Sequence, residues 1–127
     1  MSRQEIEGLI CKARRSIRAA NRLLDGEDSD FAVSRAYYGM FYAAQAMLLS
    51  RDIRRSKHSG IVAGFQQTFV KSGELPEHFF FRLRDGFDDR TESDYGLAAV
   101  TREQAVAGIQ AADEFVEEMA RHLEVGH

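Results

Sequence analysis

The sequence predicts an all-α fold, an antiparallel up-and-down bundle of four to five helices. Three observations carry that prediction. Apolar residues recur at helical spacing over long stretches, no stretch shows convincing strand alternation, and Pro76 is the one proline in 127 residues. Proline inside a helix costs about 3 kcal/mol, because it lacks an N–H and clashes with the preceding turn, so its scarcity permits long helices. Hydrophobic residues make up 44% of the chain, enough to build a core at this length. No repeat, low-complexity tract or long linker divides it, so residues 1–127 read as one helical domain.

The first helix is expected from about Arg3 to Leu24, with Ser2 and Glu5 as a capping box. Ile6, Leu9, Ile10, Ala13, Ile17, Ala20 and Leu24 form its apolar stripe, and Lys12, Arg14, Arg15, Arg18 and Arg22 its basic face. Cys11, close to the stripe, reads as a small core residue. The run Asp25 to Asp30 is a turn. The second helix, about Phe31 to Ser50, is apolar nearly all round and is expected at the centre, with Gly39 and its alanines allowing close approach. Arg35 lies among these apolar residues and needs a partner there.

A basic connection, Arg51 to Ser59, leads to a short third helix bearing Ile61, Val62, Phe65 and Phe69. Pro76 opens the fourth helix at a tolerated early position, and Phe79, Phe80, Leu83 and Phe87 form its stripe. Gly96 is a natural stop. Thr101 and Gln104 make a second capping box, and the last helix runs to about Leu123. Short connections between such helices imply antiparallel neighbours.

Charge and composition exclude several classes. A net charge of -3 gives no global electrostatic footprint for nucleic acid, although a local basic patch is compatible with it. The single cysteine makes neither an intrachain disulfide nor a multi-cysteine zinc site, which fits a reducing cytoplasm. Neither a signal core nor an 18-residue apolar run is present, so no secretion and no membrane span are expected. Glu118 with His122, and Glu74 with His78, are one residue too far apart for a di-iron carboxylate bundle, so neither a metal nor another cofactor is expected.

The aromatic run Tyr37, Tyr38, Phe41 and Tyr42 suits either core packing or base stacking. The polar segment Arg90-Thr91-Glu92-Ser93-Asp94-Tyr95 is the best functional candidate. On a continuing fourth helix, Arg90 and Asp94 stand one turn apart. They form either an ordinary ion pair or an arrangement in which Asp94 orients Arg90 toward a phosphate.

SRAYYGMFYAAQAMLL, then KHSGIVAGF, then an arginine followed after three residues by DYG, occur in that order and resemble the HEPN superfamily, specifically its short stand-alone prokaryotic members. The resemblance covers nearly the whole chain. It implies a helical bundle, commonly a homodimer, working beside a minimal nucleotidyltransferase as a toxin–antitoxin pair. It also implies a nucleotide or RNA ligand and, in active members, a metal-independent RNase. The active motif is an arginine, four to six residues, then a histidine. Here Tyr95 stands where that histidine is expected, and a tyrosine with a pKa of about 10 is a poor general base. Arg51 and His58 match the motif formally, but outside the region where the family carries it. The resemblance assigns Arg90, Asp94 and Tyr95 as candidate catalytic residues, with Arg35, Tyr38, Lys57 and His58 as nucleotide-binding support. The alternative is a non-catalytic helical interaction module paired with the nucleotidyltransferase or modified by it, with Tyr95 as the acceptor.

Overall fold

The computed structural model describes residues 3–95 and 99–127, except for the side chains of residues 92–95. Among the described residues there are five α-helices: α1 (Arg3–Asp25), α2 (Ser29–Leu49), α3 (His58–Phe65), α4 (Glu77–Tyr95) and α5 (Arg102–His122). A π-helical turn, Gln66–Val70, continues α3. No strand occurs among the described residues.

The predicted central helix is central. α2 packs against α1, α3, α4 and α5, and from Ala32 to Leu49 it buries residues on every side. Close approach is built in at two glycines. A Cβ on Gly39 would lie 2.7 Å from Ile17 Cδ1 of α1 and 3.3 Å from the Ala13 carbonyl, and one on Gly86 of α4 would lie 2.4 Å from Met40 Cε of α2.

The long helices run up, down, up, down, as their cross-contacts show. Ser16 Oγ donates to the Arg35 carbonyl at 2.7 Å, and further back along α1 Lys12 stands over the Tyr42 ring further on along α2. α1 and α5 are tied at both ends. Arg3 donates to the Leu123 and Glu124 carbonyls at 2.6 and 2.7 Å, and Arg102 donates to the Leu24 carbonyl at 3.0 Å. Arg3 thus caps carbonyls at the end of α5, where helix termini leave such groups without intrahelical partners, and Arg102 adds to the Leu24 carbonyl, which also accepts from the Glu27 N–H. Between them, Arg14 makes a bidentate pair with Glu117 at 3.0 and 2.9 Å.

Local predictions meet mixed outcomes. The Thr101–Gln104 capping box is present, with both reciprocal hydrogen bonds. Ser2, the other predicted cap, and Gly96, the predicted stop, lie outside the described residues; Glu5 also pairs with Arg54 at 3.2 Å. The expectation of a buried Cys11 fails, because its side chain is exposed. The residue follows Ile10, which points into the core, and a turn of about 100° per residue carries Cys11 off the buried stripe. The basic face of α1 is not uniformly solvated either, since Arg14 is drawn into the α1–α5 interface. On α4, Phe79 and Leu83 are buried, while Phe80 and Phe87 are half-buried.

Candidate functional site

The middle of α2, the first residue of α3 and the distal half of α4 meet in one aromatic and cationic cluster. α2 contributes Tyr37, Tyr38 and Phe41, spaced so that successive helical turns bring their rings together. α3 opens with His58, whose backbone position is fixed by the extended Lys57 at its N-cap. The imidazole stacks on Phe41 at 4.4 Å between centroids and lies 5.6 Å from each of Tyr37 and Tyr38 and 5.9 Å from Phe87.

One hydrogen bond anchors this ring: Tyr37 Oη lies 2.9 Å from His58 Nδ1. A hydroxyl both donates and accepts, so Tyr37 satisfies Nδ1 in every protonation state. It donates to a bare Nδ1, and it accepts from Nδ1–H in the other neutral tautomer and in the imidazolium. Nε2 has no protein hydrogen-bond partner among the described residues. Burial lowers the His58 pKa below the usual imidazole value, and the charge of Arg90 lowers it further. The ring is therefore neutral near pH 7. Tyr37 is buried, which holds its hydroxyl proton on well above the ordinary tyrosine range.

Arg90 faces the same rings. Its guanidinium carbon is 5.7 Å from the Tyr37 centroid and 5.6 Å from both the Tyr38 and Phe87 centroids. Arg35, on α2 itself, also stands at this ring, 4.5 Å from the Tyr38 centroid. The partner that Arg35 needs among the apolar residues of α2 is thus an aromatic face.

Of the sequence-predicted site residues, the fold gathers Arg35, Tyr38, His58 and Arg90. Lys57 is exposed beside His58. Asp94 and Tyr95 belong to the last turn of α4, but their side chains lie outside the described residues. Arg51, the formal motif partner of His58, turns elsewhere: it pairs with Glu74, which also binds His122, and stands 5.0 Å from the Phe69 ring. Tyr37, Phe41 and Phe87 belong to the cluster without having been singled out as site residues. The aromatic spacing of α2 was the available signal for the first two.

Comparison with known proteins agrees with this architecture. The family model described as HEPN domain matches residues 6–123. Two proteins of Methanocaldococcus jannaschii, each named "Putative toxin", are 34% and 32% identical; each alignment covers 95% of this chain, and 83% and 90% of the respective relative. A UPF0332 protein of Thermotoga maritima is 34% identical over 89% of this chain and 86% of its own length. With the ordered motifs, the helical bundle and this match along most of its length, the chain belongs to the HEPN domain family.

Proposed function

We propose that this protein is an RNA-cleaving toxin component, working without a metal, and that His58 and Arg90 supply the chemistry. The observation that carries the reading is their convergence. A neutral imidazole, anchored through Nδ1, and a guanidinium share one ring-lined surface. The arginine of the family motif thus has a histidine beside it, although Tyr95 occupies the motif's histidine position.

The reaction follows from these two groups. His58 Nε2 takes the proton from a ribose 2′-hydroxyl, whose oxygen attacks the adjacent phosphorus. Arg90 donates hydrogen bonds to the non-bridging oxygens as negative charge accumulates on them. The bond to the 5′-oxygen breaks, and that oxygen takes up the proton that the His58 imidazolium gives back, leaving a 2′,3′-cyclic phosphate and a 5′-hydroxyl. Tyr37 keeps the imidazole oriented while its protonation changes. Asp94 and Tyr95 are assigned to orienting Arg90 and the bound nucleotide, and Lys57 to a flanking phosphate. The names of the Methanocaldococcus relatives support the toxin half of the reading. Its other half is a homodimer that pairs with a minimal nucleotidyltransferase as antitoxin.

The test is incubation of end-labelled RNA with the purified protein in excess chelator. Cleavage to cyclic-phosphate and 5′-hydroxyl ends, lost in Arg90→Ala, is the expected result. RNA left intact by the wild-type protein would contradict catalysis. Added mass on Tyr95 after co-expression with the transferase would then favour the modified, non-catalytic module.

A further inference from the structure

We infer that the groove between α1 and α2 is a track for the phosphate backbone of single-stranded RNA, leading to the His58–Arg90 cluster; this rests on the RNA reading above. The groove, about 270 Å³, is lined by Lys12, Arg15, Arg18, Arg22 and Arg35 together with Tyr42, and no carboxylate among the described residues lines it. The chain carries 20 acidic residues against 17 basic ones, so five cations in one groove are a local concentration against the overall charge. Other arginines show the contrast: Arg3, Arg14, Arg51, Arg54 and Arg82 each pair with a glutamate. None of the five groove cations has an acidic partner among the described residues. Mutual repulsion makes such a groove unfavourable on its own and attractive to a polyanion.

Shape and chemistry favour nucleic acid. Lys12, Arg15, Arg18 and Arg22 recur every three or four residues along α1, covering about 15 Å of axis. A stacked strand rises about 3.4 Å per nucleotide, so that length serves several phosphates. Aromatic faces interleave with the charges, as base stacking requires. Lys12 Nζ is 4.8 Å from the Tyr42 centroid, and Arg35 reaches the Tyr38 ring at 4.5 Å. Tyr38 is itself the ring shared with Arg90 and His58, so one aromatic ring links Arg35 of the groove to the reactive cluster. Buried Nε of Arg35 has no hydrogen-bond partner among the described residues.

The experiment is fluorescence anisotropy with a labelled, mixed-sequence single-stranded RNA 12-mer, titrated at several salt concentrations. Wild type is compared with Arg15→Gln/Arg18→Gln and with a control of equal charge change, Arg84→Gln/Arg121→Gln, whose side chains are exposed away from the groove. The groove variant should bind about tenfold or more weakly, with its slope of log affinity against log salt reduced by about 1.4, the value for two lost single-strand phosphate contacts. The control should stay within about twofold of wild type. Equal effects of the two variants would overturn the track. So would a wild-type protein that ignores RNA but retains polyglutamate, because the groove would then suit an acidic protein. His58→Gln separates the two readings. If RNA binds through the groove and neither wild type nor His58→Gln cleaves it, catalysis fails and the track stands. If RNA is cleaved with unchanged KM by the groove variant, the track fails and catalysis stands.

Discussion

Tyr37 and His58 show how much one hydrogen bond can specify. The hydroxyl accommodates both neutral tautomers and the imidazolium, so the same contact serves proton uptake and proton release. Tyr37→Phe removes it and leaves Nδ1 without its partner. The predicted outcome is a fall of about tenfold in kcat with little change in KM, and about 1 kcal/mol lost in a denaturant melt. The His58 pKa is depressed by burial and then by Arg90. The base is the neutral ring, so kcat/KM should rise with pH and level off below pH 6.5, the ordinary imidazole value, as a pH–rate profile would show. The linked stability has the same sign. Below about pH 6.5 the unfolded chain takes the proton more readily than the folded one, so acid lowers stability through this group.

At the scale of elements, the α1–α5 seam and the aromatic packing under α3 hold the cluster in place. Phe115 is fully buried, 5.5 Å from the Phe65 ring and 6.0 Å from the Phe79 ring. Phe115→Ala should cost about 3–5 kcal/mol in chemical denaturation, because it removes transfer energy and leaves a cavity between α3, α4 and α5. Most of this level was legible beforehand. The all-round apolarity of α2 gave its central place, helical spacing gave the stripe of α1, and Thr101 with Gln104 marked the start of α5. The π-helical turn after α3 was not, since a stripe containing Phe65 and Phe69 suits an ordinary helix as well. Nor was the exposure of Cys11 recognised, although the neighbouring core positions Ile10 and Ala13 imply it.

Across the whole molecule, charge pairs couple distant parts of the sequence, and this is what local reading misses. Arg14 with Glu117 and Arg51 with Glu74 join residues far apart in the chain. Hydrogen bonding from these arginines holds both glutamates below the usual carboxylate range. Their contribution is therefore complete above the unfolded value of about 4.3 and disappears as pH falls through the folded value. Thermal unfolding should show Tm falling below about pH 4.5, and Arg14→Met should flatten that fall while lowering Tm at pH 7. The same limit governed the site. Arg90 and His58 could each be singled out from sequence, yet 32 positions separate them, and the pairing exists only once α3 and α4 pack on α2. That pairing is tested most directly by the single-turnover cleavage rate of His58→Gln, measured on RNA in chelator with the variant's fold checked by circular dichroism. A loss of about 10²-fold or more, with RNA still bound, is the predicted result. A folded variant that cleaves at the wild-type rate would contradict the account.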